Sequence, residues 1–166
     1  FKDMWIMNFD AASRKLTLLF REHDDAWVGR LFSDFRGNDD MGWLADNKRL
    51  WFISEQTGYA HLYTINVETK DTKQLTSGNF EVQRAVLSRN KQQFYVITNE
   101  SHPGEKQLYR LSVDGGPRER LTPLEGAYEF ELSPDDRFIA LRYSYSNKPW
   151  ELQLLENKPK AKPVQI

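Results

Sequence analysis

Short runs of aromatic and branched residues recur along the chain, each bounded by turn-forming residues. Trp51-Phe52-Ile53 is apolar at consecutive positions, the pattern of a strand buried on both faces. Leu62, Tyr63, Ile65 and Val67 are instead interrupted by polar residues, as in a strand with one wetter face. Asn47, Gly58, Asn90, Gly104, Gly115-Gly116 and Asp135 punctuate the runs; these residue types tolerate or favour the backbone angles of tight turns. No segment carries a helical period, so the pattern predicts strands throughout.

The runs also repeat. Leu44-Ala45-Asp46-Asn47-Lys48 with Leu50-Trp51-Phe52-Ile53 returns 43 positions on as Leu87-Ser88-Arg89-Asn90-Lys91 with Gln93-Phe94-Tyr95-Val96. It returns again as Leu132-Ser133-Pro134-Asp135-Asp136 with Phe138-Ile139-Ala140-Leu141. A second element, His61-Leu62-Tyr63-Thr64-Ile65-Asn66-Val67, recurs as Gln107-Leu108-Tyr109-Arg110-Leu111-Ser112-Val113 and, more faintly, as Glu151-Leu152-Gln153-Leu154-Leu155; Asp3-Met4-Trp5-Ile6-Met7-Asn8-Phe9 is an upstream copy. Gln74-Leu75-Thr76, Arg120-Leu121-Thr122 and Lys15-Leu16-Thr17 close the units. A unit of roughly 40 to 50 residues with about four strands is the length of a propeller blade. The expected fold is all-β, a partial β-propeller of about three to four four-stranded antiparallel blades, with a part blade over 1–19 and blades over 27–76, 80–122 and 127–165. The opening at Phe1-Lys2-Asp3-Met4-Trp5 and the close at Pro163-Val164-Gln165-Ile166 fall inside the pattern, so a fragment of a longer propeller domain is expected.

Composition narrows the function. At 166 residues with 13% aromatic content the chain can bury a sizeable core. Lys+Arg 23 against Asp+Glu 24 gives a net charge of -1 with the signs interspersed, which leaves no basic field for nucleic acid. Cysteine is absent, which removes disulfides and thiolate metal sites. The apolar runs fall far short of the roughly 20 residues that span a bilayer.

At Ser54-Glu55-Gln56-Thr57-Gly58-Tyr59-Ala60-His61-Leu62-Tyr63 the sequence resembles the strand-turn-strand signature of the dipeptidyl peptidase IV and prolyl oligopeptidase family of serine peptidases. Ala26-Trp27-Val28-Gly29-Arg30 is similar to a Trp-Val-Gly-Arg segment of the same family, and Leu75-Thr76-Ser77-Gly78-Asn79-Phe80-Glu81-Val82 and Thr98-Asn99-Glu100 fall at its spacing. The resemblance covers most of residues 1–145. It implies a propeller that gates an α/β-hydrolase domain of the same parent chain, with peptide as substrate, cleavage near Pro or Ala, and no cofactor. It further implies substrate-channel positions at Trp27, Arg30, Leu31, Phe32 and Arg36, although Leu31 and Phe32 depart from the aromatic and arginine that the family places there. No adjacent Glu-Glu is present to carry the family's amine-binding pair. Periplasmic or extracellular placement is expected from the family match.

The residues themselves hold no nucleophile elbow of the G-x-S-x-G type, so no catalytic residue is assigned. His23, His61 and His102, with Asp24-Asp25 and Asp39-Asp40, lack metal-ligand spacing and read as solvated turns, with His61 expected to pack and hydrogen-bond beside the Gly58 turn. Trp5, Trp27, Trp43, Trp51 and Trp150 could form a stacking platform, but core packing is the expected role, with Trp51 sharing a repeat slot with Phe94 and Ile139. Asn99-Glu100-Ser101 is a formal glycosylation sequon without further support. A competing reading is a protein-binding scaffold like the TolB-like and WD-repeat propellers, since repeats alone do not separate scaffold from enzyme segment. Self-association through exposed blade edges is expected of an incomplete propeller.

Overall fold

A computed structural model describes residues 2–28 and 41–166, and every regular element among them is a β-strand. In chain order the strands are β1 (Asp3–Asp10), β2 (Lys15–His23), β3 (Met41–Trp43), β4 (Arg49–Ser54), β5 (His61–Asn66), β6 (Thr72–Gln74), β7 (Val82–Leu87), β8 (Gln93–Thr98), β9 (Gln107–Ser112), β10 (Glu119–Arg120), β11 (Ala127–Leu132), β12 (Phe138–Tyr145), β13 (Lys148–Glu156) and β14 (Val164–Gln165). Each pairs antiparallel with its sequence neighbour, giving sheets β1-β2, β3-β4-β5-β6, β7-β8-β9-β10 and β11-β12-β13-β14. These are the blades of a partial β-propeller. They fall into two compact units, Phe1–Ser77 and Gly78–Ile166.

One turn chemistry makes the first hairpin of each four-stranded sheet. Asp46 Oδ1 accepts the backbone N–H groups of Lys48 and Arg49 at 2.9 Å each, Asn90 Oδ1 accepts Gln92 N–H at 3.1 Å, and Asp135 Oδ1 accepts Arg137 N–H at 3.1 Å. The following residue enters the left-handed region in all three, Asn47 at φ 53°, Lys91 at 55° and Asp136 at 56°. A short polar side chain that bonds the backbone two residues on offsets the cost of that conformation.

This turn corrects the repeat register by one residue. The structural counterpart of Asp46 is Asn90, and Trp43 pairs with Leu50 as Leu87 pairs with Phe94. Trp51 therefore corresponds to Tyr95 and Ala140, not to Phe94 and Ile139. Because strand side chains alternate between faces, that single step moves every residue to the other side of the sheet.

In the first unit Ile6 and Leu19 pack on Leu50, Phe52, Tyr63 and Ile65, with the Phe20 and Phe52 rings 4.7 Å apart. In the second unit Tyr95, Ile97 and Leu108 meet Tyr128, Phe130 and Ile139 in an equivalent layer. Each layer joins one face of a sheet to the opposite face of the next. β4 and β8 are buried along almost their whole length, whereas β12 alternates buried and exposed, because only one face of its sheet is covered.

Of the five tryptophans only Trp51 is core, its indole lying over Gly42, where a Cβ would come within 2.8 Å of Nε1. Trp5, Trp27, Trp43 and Trp150 are substantially exposed, which overturns the expectation of core packing for them. Trp5 and Trp150 lie on strands of the two sheets with an open face, Trp43 ends a three-residue edge strand, and Trp27 follows β2 in a loop.

Candidate functional site

The end of β2 and the β4–β5 turn meet through a buried carboxylate. Glu22 is 6% exposed; its Oε2 accepts the Ser54 hydroxyl at 2.7 Å and its Oε1 accepts Glu55 N–H at 2.9 Å. With both oxygens engaged, the buried side chain keeps within the protein the hydrogen bonds that water would otherwise supply. Glu22 thereby ties the chain entering residues 24–28 to the turn that carries the Ser54–Tyr63 signature.

Beyond Glu22 the loop is braced by a second carboxylate. Asp24 Oδ1 accepts Ala26 N–H at 2.7 Å and Trp27 N–H at 3.0 Å. Those two donors hold the Asp24 carboxyl below the usual carboxylate range, so this brace is present at neutral pH and is lost only as pH falls through that lowered value. Trp27 stands out from it with 71% of its surface exposed. Arg30, Leu31, Phe32 and Arg36, the other positions implied for a substrate channel, lie outside the described residues, as do Asp39 and Asp40.

The β4–β5 turn is closed by Gly58 N–H donating to the Glu55 carbonyl at 2.8 Å, with Gly58 at φ 89°. Behind it His61 is buried, its Nδ1 3.1 Å from Thr76 Oγ1, which also accepts Leu62 N–H at 3.0 Å. The next sheet repeats the clasp with glutamine: the Thr122 hydroxyl donates to Gln107 Oε1 at 2.6 Å and accepts Leu108 N–H at 3.1 Å. The imidazole thus does the work of a neutral amide, holding the fourth-strand end of the blade to its third strand. His23 contacts Asp3 at 3.0 Å and Asp25 at 3.3 Å, and His102 Nδ1 accepts Gly104 N–H at 3.1 Å. Among the described residues no group of three or more His, Asp or Glu side chains is placed to hold a metal ion.

In the second unit the β8–β9 and β10–β11 connections and the β12–β13 hairpin border an open concavity of about 690 Å3, lined by His102, Glu105, Glu125, Gly126, Ser144 and Tyr145 among others. Gly126 sits at φ 121°, and a Cβ there would lie 2.5 Å from the Ser144 carbonyl. Gly126→Ala is therefore expected to lower stability by about 1–3 kcal/mol, a backbone strain term read from the chemical-denaturation midpoint. An unchanged midpoint would show that this connection is not held as described.

Residues 1–150 match the family of the dipeptidyl peptidase IV (DPP IV) N-terminal region. The dipeptidyl peptidase 4 of Arthroderma otae is 28% identical over 167 residues, spanning 96% of this chain and 20% of that protein. The probable dipeptidyl peptidase 4 of Neosartorya fischeri is 32% identical over 112 residues, 64% of this chain and 14% of its own length. The crystal structure of Porphyromonas gingivalis dipeptidyl peptidase 4 shares the fold over 99% of this chain and 22% of that one, with a TM-score of 0.78 at 18% identity. This chain thus spans about a fifth or less of the length of these relatives.

Proposed function

The chain belongs to the dipeptidyl peptidase IV N-terminal region family, and on that premise we propose that it is the non-catalytic propeller segment of a serine peptidase that cleaves short peptides after Pro or Ala. In this reading an α/β-hydrolase domain of the same polypeptide supplies the nucleophile. The propeller admits short or flexible peptides and excludes folded proteins, so specificity comes from access and positioning rather than from chemistry in this segment.

The observation that supports the reading best is Trp27. It belongs to the Trp-Val-Gly-Arg segment, it is 71% exposed, and its loop is braced by Asp24 and Glu22. A large apolar side chain held out on an ordered base has its ordering cost already met, which suits it to contact a passing peptide. The family resemblance implies the same role for Arg30, Leu31, Phe32 and Arg36, which lie outside the described residues.

In the full-length enzyme Trp27→Ala is expected to raise KM for chromogenic Xaa-Pro dipeptides roughly three- to tenfold, equivalent to about 0.5–1.5 kcal/mol of lost aromatic contact, with kcat nearly unchanged. That split is the mark of a contact made equally in the bound substrate and the transition state. Unaltered KM and kcat would remove Trp27 from the substrate path.

A further inference from the structure

One turn recurs among the described residues of the first unit: the side-chain oxygen of an Asp or Asn accepts the N–H groups two and three residues on. Asp10 Oδ1 accepts Ala12 and Ser13 at 2.8 and 3.1 Å, Asp46 Oδ1 accepts Lys48 and Arg49 at 2.9 Å each, and Asn66 Oδ1 accepts Glu68 and Thr69 at 2.9 and 3.1 Å. Each of these lies in a hairpin, β1 to β2, β3 to β4 or β5 to β6, and leads the chain into the partner strand. Asp24 makes the same pair of bonds, to Ala26 at 2.7 Å and Trp27 at 3.0 Å. It does so outside any hairpin, because β2 and the following β3 belong to different sheets.

The turn is also held from behind. Asp24 N–H donates to the Lys2 carbonyl at 3.0 Å, one step beyond the Asp3–His23 pair of the β1–β2 ladder. His23 beside it lies 3.0 Å from Asp3 and 3.3 Å from Asp25. The Asp24 backbone is thereby fixed to β1, while its carboxylate holds the N–H of the residue that carries the exposed indole. An Asp or Asn side chain bonded to the backbone further on restricts the angles of the residues it spans. The direction in which the Trp27 side chain leaves the backbone follows from those angles.

We propose that Asp24 is a positioning residue, which holds Trp27 in the orientation that meets the peptide and so sets the affinity for substrate without touching it. This rests on the reading of Trp27 as a substrate contact. In the hairpins the same turn brings two strands of one sheet into register; after β2 there is no strand pair to register, and what the bonds fix is Trp27. With the turn intact, Trp27 is ordered before the peptide arrives. Without it, that ordering is drawn from the binding free energy, which weakens binding and leaves the chemical step alone. Asp24 is itself exposed, so its replacement leaves the core layer of the unit in place.

Steady-state kinetics of the full-length protein on chromogenic Xaa-Pro dipeptides, with hydrogen exchange on the same variants, test it. Asp24→Ala is expected to raise KM about two- to tenfold with kcat nearly unchanged, the fold-change of ordering one further side chain on binding. Asp24→Asn, whose amide oxygen can accept the same two N–H groups, should recover most of that loss. Combined with Trp27→Ala, Asp24→Ala should add nothing to the loss that Trp27→Ala causes alone, because both act through one ring. Exchange at the Ala26 and Trp27 amides should quicken in Asp24→Ala and return toward wild type in Asp24→Asn. Additive losses in the double variant would overturn the proposal, as would equal losses in Asp24→Ala and Asp24→Asn, or a KM that Trp27→Ala raises and Asp24→Ala does not. If Trp27→Ala itself leaves KM unaltered, the substrate reading falls and the effect on affinity with it. Unchanged exchange at Ala26 and Trp27 in Asp24→Ala instead overturns the positioning, whatever the kinetics.

Discussion

Phe130→Ala is expected to destabilise the second unit by about 3–5 kcal/mol, the range for truncating a buried phenylalanine. Phe130 is 2% exposed in the layer between β8–β9 and β11–β13, with the Tyr95 ring 6.5 Å away. Its ring also supports the Arg84 guanidinium, whose carbon lies 4.7 Å from the ring centroid while Nη1 donates to the Phe130 carbonyl. Truncation would thus open a cavity and remove the platform of a half-buried cation at once. Phe130→Leu, which keeps most of the volume, should cost a fraction of this. The urea midpoint, followed by a probe in the second unit, reads both; a loss below about 1 kcal/mol for the alanine variant would mean that the layer does not pack as described.

The second large effect falls on Glu22. Glu22→Ala removes the acceptor of the buried Ser54 hydroxyl and of the part-buried Glu55 N–H, and a fully buried donor so stranded costs about 1–3 kcal/mol. Since a hydroxyl can turn to another acceptor, a total of about 2–3 kcal/mol is expected. Glu22→Gln retains one acceptor oxygen but turns an NH2 toward a donor, so it should fall between wild type and alanine. Hydrogen exchange localises the effect: the Glu55 amide should exchange faster in Glu22→Ala while amides of the second unit are unaffected. Equal protection of Glu55 in wild type and variant would contradict the assigned bonds.

The all-β architecture and the blade period were legible because period-2 runs and Asx-type turns are local signals that recur in fixed order. The register was not. Matching Asn47 to Asn90 by identity gave a 43-residue step, whereas the hairpin equates Asp46 with Asn90 and accepts Lys91 in the left-handed position. Asp, Asn and Ser substitute for one another as turn acceptors, so identity misplaces them by a residue while the ladder does not. The tryptophans failed for a related reason: hydrophobicity shows that a face is apolar but not whether the chain supplies the sheet that covers it.

At the candidate site, Trp27 was readable from its motif, and its exposure is a finding of the structure. Glu22 was missed, though Leu19-Phe20-Arg21-Glu22 places a carboxylate in a strand, because its partners Ser54 and Glu55 lie more than thirty residues away and nothing local marks it as buried. His61 was singled out by its motif, and its bonding to Thr76 shows why the motif has it: Gln107 serves the same end in the next sheet. The concavity beside Gly126 escaped notice because ordinary turn residues from three separate connections form it.

The most direct test of the central claim is hydrolysis of Xaa-Pro and Xaa-Ala chromogenic dipeptides by this chain and by the full-length protein, assayed side by side. A gating segment without a nucleophile predicts activity in the full-length protein alone. Activity in neither would favour a protein-binding scaffold, and hydrolysis by this chain on its own would contradict the account outright.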